Sequence, residues 1–215
     1  MPELGWGKVG INGFKNWTML FVCMVWLGIF FPSRTAAADA DPHAHRPHYD
    51  LKVSFDQVAH RIHVRETVAW TNSTSKPLEQ LVFNFYPHYR VPAGDYLHLA
   101  KTLELMRLQP SMAIDRGGRH GVIGEAKLLG AGGKPLDSPA TLGYEFDPDN
   151  PTTLHFLLPK PLPPGESISI EINFCLHLPN KQGRWGHWEG VTFATNAIPL
   201  LAFCDDAGWH PAPFV

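Results

Sequence analysis

The chain has 215 residues, of which 44% are hydrophobic and 18% are charged. This composition excludes an intrinsically disordered chain, which combines low hydrophobicity with a high net charge. Lys and Arg number 18 and Asp and Glu number 20, so the net charge of −2 predicts no nucleic-acid partner. The 19 glycines and 20 prolines favour many turns over long helices.

The first forty residues have the order of a secretory signal, which is a basic stretch, an apolar run and a small-residue cleavage site. The uncharged run at 17–31 has 15 residues, whereas a bilayer-spanning helix needs ~20. We therefore predict a signal peptide at 1–40, with an uncleaved N-terminal membrane anchor as the alternative. Either reading places the remainder, after a polar linker at 41–48, in an extracytoplasmic compartment as a secreted, periplasmic or anchored protein.

Strand patterns dominate from residue 49 onward. Tyr49–Phe55 and Arg61–Trp70 alternate apolar and polar residues around a short turn at 57–60, which predicts a β-hairpin. Glu66 falls on the inward-facing phase of the second strand. The residues expected to share one face of the first strand are Tyr49, Leu51, Val53 and Phe55. Further strands are predicted over 81–86, 122–129, 144–146, 153–158 and 167–176.

One helix is predicted, over Asp95–Leu108, with Asp95 as its N-cap and an apolar stripe of Leu99, Leu103 and Met106. The proline-rich segment 159–166 is expected to be a rigid connector, because proline fixes φ and cannot donate a hydrogen bond. The strand at 167–176 has one apolar and one polar face, which is typical of an antiparallel sheet. The predicted fold is all-β, an antiparallel β-sandwich or saddle-shaped sheet of about eight strands.

Motifs that carry catalytic chemistry are absent from the sequence. It contains neither the HExxH pair of zinc proteases nor the Gly-x-Ser-x-Gly elbow of serine hydrolases. The 12 histidines are scattered, and the spacing of His60 and His63 sends them to opposite sides of a strand. We therefore predict no catalytic, cofactor-binding or metal-binding residue in this chain; an enzymatic reading would depend on the histidine count alone.

Two sets of residues near the C-terminal end are candidates for function. Trp185, Trp188 and Trp209 fall within 25 residues and predict an interface, either a carbohydrate groove or a surface that packs on another domain. Cys175 and Cys204 can pair as a disulfide in an oxidising compartment. The alternative is two separate buried thiols, because a sequence does not show whether their Cα atoms approach closely enough.

The order of several short motifs resembles a known family. Tyr49–Phe55, Ile62–Asn72 and Leu81–Pro87 resemble the opening of the N-terminal domain of the aminopeptidase N family of zinc metallopeptidases, whose third strand ends in "FNFYP". Leu162–Glu166 resembles the family's L-x-x-G turn into a long strand. Ile198–Trp209 resembles its "WYP … D-x-GW" segment, with Ile198 where the family has an aromatic residue.

The resemblance implies a β-saddle domain that packs, in family members, on a thermolysin-like catalytic domain. The family's Gly-x-Met-Glu-Asn loop and HExxH pair are not in this sequence, so no catalytic or zinc residue is carried over. We expect a non-catalytic β-domain over 49–215, truncated at its C-terminal end, whose aromatic segment packs on a catalytic domain or a protein partner. Zinc is expected only in that missing domain. The alternative is a stand-alone secreted module that binds carbohydrate or protein.

Overall fold

Two four-stranded antiparallel sheets face each other around a shared apolar core. The structure, a computed structural model, describes residues 46–110, 114, 117–130 and 140–213. The predicted signal or anchor at 1–40 therefore lies outside the described residues. The strands are β1 His48–Asp56, β2 Arg61–Thr71, β3 Leu78–Asn84, β4 Gly121–Leu129, β5 Tyr144–Phe146, β6 Thr153–Leu162, β7 Ser167–His177, β8 Trp185–Trp188, β9 Val191–Ala194, β10 Leu200–Leu201, β11 Phe203–Asp205 and β12 Gly208–His210.

The strand order is β1-β2-β7-β4 in the first sheet and β10-β3-β6-β5 in the second. Two hairpins, β8-β9 and β11-β12, follow the long strands. All pairs of strands are antiparallel. The prediction of an antiparallel β-sandwich with one short helix is confirmed, and the described residues form twelve strands where about eight were expected.

The core lies between the inner faces of the two sheets. It contains Val64, Val68, Trp70, Ile123, Ala126, Ile170, Ile172 and Phe174 from the first sheet, and Leu81, Phe83, Leu154 and Phe156 from the second. The rings of Phe83 and Phe156 meet edge to face, with centroids 5.5 Å apart. Burial of each large apolar side chain contributes about 1.5–3 kcal/mol, so this alternating pattern is the main source of the fold's stability.

The sandwich is closed differently at its two sides. Beside β4, the backbone N–H of Leu142 donates to the carbonyl of Ala126 at 2.8 Å, and the Tyr144 hydroxyl donates to the Ile123 carbonyl at 3.0 Å. Beside β1, the backbone N–H of Leu201 in β10 donates to the Tyr49 hydroxyl at 3.0 Å. β5 therefore lies across from β4, and β10 lies across from β1.

The turn after β2 is organised by a buried side chain, Asn72. The amide nitrogen of Asn72 donates to the carbonyls of Lys76 at 2.9 Å and Leu162 at 3.0 Å. Its amide oxygen accepts the backbone N–H of Thr74 at 3.0 Å. These bonds satisfy a buried polar group and fix the entry into β3.

The expectation of a rigid proline connector after residue 158 is wrong, because β6 continues through Pro159 and Pro161 to Leu162. The backbone N–H of Leu157 donates to the Gly143 carbonyl at 3.1 Å, on the β5 side of β6. Pro159 and Pro161 have the same strand parity as Leu157, and β5 pairs only as far as Phe156. Their missing N–H groups therefore face an edge without a strand partner among the described residues, where proline is tolerated.

The helix is shorter than predicted. α1 spans Tyr96–Leu105, and the side chain of Asp95 makes no capping hydrogen bond. Leu99 and Leu103 are half-buried, but Met106 lies beyond the helix and is 64% exposed. The apolar stripe is thus only partly used for packing.

The hairpin β8-β9 was not predicted, because its strands are only four residues long. Its turn residues Glu189 and Gly190 both have positive φ, 47° and 81°. Two consecutive residues of this kind are the requirement of a tight hairpin turn whose twist matches the strands.

Candidate functional site

The inner face of β1 is apolar but largely uncovered. Leu51, Val53 and Phe55 lie on the same side of the sheet as the buried residues of β2 with which they pair. They are nevertheless 40%, 60% and 43% exposed. The facing strand β10 has only two residues, and it donates the backbone N–H of Leu201 to the Tyr49 hydroxyl. No strand among the described residues covers the rest of β1. We call Leu51, Val53 and Phe55 the β1 shelf.

β1 is also an edge strand. Its nine residues pair with β2 on one side and have no strand partner on the other side among the described residues. Such an edge presents unpaired backbone N–H and C=O groups, which are a template for an added strand. The shelf and the edge together form a surface suited to a second polypeptide segment.

Glu66 lies in the core next to this surface. It pairs with Leu51 of the shelf on one side and with Ile172 of β7 on the other. Its side chain is 0% exposed, and neither carboxylate oxygen has a hydrogen-bond partner among the described residues. Burial raises the pKa of Glu66 to about 8, because the charged form loses its hydration. The carboxyl group is therefore mostly protonated at neutral pH.

A shallow groove of about 540 Å³ crosses the outer face of the first sheet, on the side opposite the core. The residues that line it are Lys52, Val53, Ser54, His63, Val64, Arg65, Val122, Gly124, Asn173, Phe174, Cys175 and His177. The ladder between β4 and β7 is shifted between Ile123 and Glu125, which leaves Gly124 in a bulge. A bulge bends its strand and increases the local twist, which favours a curved outer face.

The groove is lined by two cations, Lys52 and Arg65, and by two histidines, His63 and His177. The Arg65 guanidinium donates to the Asn173 amide oxygen at 3.3 Å and lies 3.9 Å from the nearest Glu171 oxygen. Desolvation, followed by the charges of Arg61 and His63, lowers the pKa of His177. Glu125 and Glu171 project from the same face of the sheet, so side chains of both charge signs border the groove.

The three tryptophans predicted as an interface do not form one surface. Trp185 is buried in the core, and its indole nitrogen donates to the Thr195 carbonyl at 2.8 Å. Trp209 packs on Trp70, with ring centroids 5.5 Å apart. Trp188 is half-buried and lies an odd number of residues from Trp185 on the same strand, so the two point to opposite sides. Correcting the prediction, Trp185 serves packing inside the domain.

Cys175 and Cys204 are both free thiols. Cys175 lines the groove on the outer face, whereas Cys204 belongs to the core cluster. The structure thus agrees with the alternative of two separate thiols. Burial raises the pKa of both, so each stays protonated at neutral pH.

The histidines remain dispersed in the fold. The rings of His60 and His187 stack with centroids 3.4 Å apart, while His63 lies in the groove. Within the part of the chain that the structure describes, no group of three or more His, Cys, Asp or Glu residues is arranged to hold a metal ion. No helix in the same part of the chain is long and apolar enough to span a bilayer.

Sequence reasoning placed Glu66 on an inward phase but did not identify the β1 shelf or the groove. The signal for the shelf was visible as the alternation of Tyr49–Phe55, but its exposure depends on the length of the facing strand. Comparison with known proteins adds no assignment: no protein-family model matches the chain, and no curated protein matches it.

Proposed function

We propose that this chain is a non-catalytic, extracytoplasmic β-domain, similar to the N-terminal domain of an aminopeptidase N-like metallopeptidase, and that it docks on a catalytic domain or another protein. The β1 shelf carries the proposal. Three large apolar side chains exposed in a row on an open edge strand form the kind of patch that marks an interface. Covering such side chains fully contributes about 1.5–3 kcal/mol each.

The sequence supports the same function. The "FNFYP"-like end of the third strand and the order of the motifs resemble that family, and no HExxH pair is present in the chain. We place the docking surface at the β1 shelf instead of the C-terminal tryptophans, because Trp185 is buried and Trp209 is occupied by Trp70. The same placement gives little support to the alternative of a tryptophan-lined carbohydrate module.

The first test is the intact mass and peptidase activity of the natively produced protein, assayed on aminoacyl-coumarin substrates. A species near 24 kDa or smaller without activity is the expected result. A much larger, zinc-containing and active species would overturn the non-catalytic assignment and make this chain the front of an aminopeptidase.

The second test asks whether the shelf is covered. Amide hydrogen exchange of β1 in the native species is compared with that in the purified chain, and a docked partner is expected to slow exchange at the outward-facing amides. Val53→Lys should abolish this protection, whereas Val191→Lys, at a similarly exposed valine of β9, should leave it unchanged. Equal exchange rates of β1 in both species would contradict docking at the β1 shelf.

A further inference from the structure

We propose that the partner at the β1 edge is a second copy of this chain, and that the two copies pair antiparallel through β1 about a two-fold axis at Leu51. This pairing rests on the proposed docking at the β1 shelf and names the partner of that surface. Three features of β1 support it: the direction of its free backbone groups, the order of charges on its outer face, and the apolar order of its inner face.

The free backbone groups of β1 belong to alternate residues, which the hydrogen bonds of neighbouring strands identify. The backbone N–H of His177 in β7 donates to the carbonyl of His120, on the β4 side, so it points away from β2. Arg61 pairs with His177 and therefore directs its own N–H and C=O toward Asp56 of β1. Because these directions alternate along a strand, the odd-numbered residues 49–55 of β1 direct their N–H and C=O groups to the open edge.

This alternation restricts how a second copy can pair. Each copy offers only its odd-numbered residues to the shared edge, so odd-numbered residues must pair with one another. A two-fold axis at Leu51 meets this condition. Leu51 then pairs with Leu51 of the second copy, Tyr49 pairs with Val53, and each pair exchanges two backbone hydrogen bonds.

The charges on the outer face of β1 are complementary in this register. Asp50 and Lys52 flank Leu51 and are both exposed. With the axis at Leu51, Asp50 of each copy lies opposite Lys52 of the other, in a pair without backbone hydrogen bonds, where side chains come closest. Within one copy Lys52 pairs with Arg65, a like charge, and Asp50 pairs with Thr67. The second copy thus supplies a cross-strand partner of opposite charge to each.

Other registers of the same edge are less favourable. An axis at Lys52 places that lysine opposite itself, and an axis at Asp50 places two aspartates together. An axis at Val53 places Asp50 opposite Asp56. Like charges directly opposite each other destabilise a strand pair. An axis at residue 49 or 54 shortens the paired part of β1 from 48–54 to 48–50 or 52–56.

The inner face contributes apolar contacts in the same register. The β1 shelves of the two copies meet at the axis and form one continuous apolar strip, with Val53 beside Tyr49 of the other copy. Contact across the edge removes water from Leu51 and Val53, which are 40% and 60% exposed in one copy. The two four-stranded sheets join into one eight-stranded sheet, in which neither β1 is an edge.

Sedimentation equilibrium of the purified full chain at low salt tests the pairing. We expect a reversible dimer, and amide hydrogen exchange in that dimer should slow at residues 49, 51 and 53 relative to the dilute monomer. The even-numbered residues of β1 should change little, because their amides already bond to β2. A chain that stays monomeric up to about 1 mM would overturn the proposal.

Two charge reversals locate the interface and its register. Asp50→Lys and Lys52→Asp should each weaken dimerisation by about tenfold, since each turns both cross-edge pairs into like-charge pairs. An equimolar mixture of the two variants should dimerise about as tightly as the wild type, because every lysine then lies opposite an aspartate. Lys160→Asp, at an exposed lysine of the second sheet, is the matched control and should change dimerisation little.

Urea midpoints confirm that the variants remain folded. Unchanged dimerisation in both single variants, or a mixture that associates no more tightly than either variant alone, would overturn the proposal.

The outcome is distinguishable from that of the shelf test. The reference for that hydrogen-exchange comparison is the purified chain, diluted until it is monomeric. A chain that does not dimerise, but whose β1 is protected in the native species, would overturn pairing between copies and leave docking at the β1 shelf with a different partner. A monomer whose β1 is unprotected in the native species would contradict both proposals.

Discussion

The two sides of the sandwich differ in how they are closed. At the β4 side the chain leaves the first sheet, pairs once more with β4 through Leu142, and passes directly into the second sheet as β5. At the β1 side the second sheet ends in the two-residue strand β10.

The two sides also differ in burial. One row of paired residues crosses the first sheet from β1 to β4 and consists of Leu51, Glu66, Ile172 and Ala126. Leu51 is 40% exposed, while Ala126 at the far end is 1% exposed.

The comparison teaches that strand alternation predicts which residues share a face, but not whether that face is covered. The apolar pattern of β1 is as regular as that of β2. Its burial depends on the length of a strand about 150 residues away, since the two-residue strand β10 pairs with β3 and donates the Leu201 N–H to Tyr49 of β1. The uncovered side is the one at which we propose that a partner docks.

The largest expected effect on the free energy of unfolding comes from Glu66, which pairs with Leu51 of the β1 shelf. Its pKa is about 8 in the folded protein and near 4.5 when unfolded, so folding takes up a proton between these values. The stabilising contribution of protonated Glu66 is fully present below about pH 4.5 and is lost as the pH rises through about 8. The loss in the free energy of unfolding is on the order of 5 kcal/mol. Urea unfolding at several pH values measures this.

Glu66→Gln is the control, because the amide has the same shape and does not titrate. We expect its free energy of unfolding to change much less than that of the wild type between pH 6 and pH 9. A wild type whose stability is as flat as that of the variant would mean that a group outside the described residues, or water, reaches the carboxylate.

Truncating one leucine at each side of the sandwich compares the two directly. Leu142→Ala removes a buried side chain beside β4 and should cost about 2–5 kcal/mol. Leu51→Ala makes the same chemical change on the shelf and should cost about 1 kcal/mol or less, because the side chain is already partly hydrated. The measurement is the urea dependence of tryptophan fluorescence. Equal costs would show that the shelf is covered in solution.

The cross-sheet hydrogen bonds offer a second matched pair. Tyr49→Phe leaves the half-buried N–H of Leu201 without its acceptor and should cost about 1 kcal/mol or more. Tyr144→Phe removes a donor from a more exposed hydroxyl and should cost less. Thermal unfolding of the two variants gives the comparison. A larger loss of stability in Tyr144→Phe than in Tyr49→Phe would contradict this prediction, because it would make the hydrogen bond on the β4 side the more important one.

The smallest effect on stability is expected at the cysteines, because Cys175 lies in β7 of the first sheet and Cys204 lies in the separate hairpin β11-β12. Cys175→Ser should change the stability by about 0.5 kcal/mol or less, because no disulfide is lost. A disulfide would raise that cost to about 2–4 kcal/mol. Unfolding with and without a reductant distinguishes these outcomes, since only a disulfide makes the wild type sensitive to the reductant.

Much of the fold was predictable, because long strands with one apolar face leave a strong period in the sequence. β2 and β7 were predicted to within one residue at each end, and the inward phase of Glu66 was correct. The short strands β8 to β12 were not predicted, since two to four residues are too few to show a period. The prolines of β6 were misinterpreted because their tolerance depends on which side of the strand lacks a neighbour.

The candidate site was predictable only in part. The cations of β2 and the apolar residues of β1 can be read from alternation alone, as can the assignment of each to a face. The sequence by itself thus determined the strand periods, the antiparallel class and the inward position of Glu66, because these depend on local side-chain order. The tertiary structure alone decided which faces are covered, whether Trp185 is exposed, and which outer residues share a groove. These depend on pairings between residues far apart in the chain, which carry no local signal.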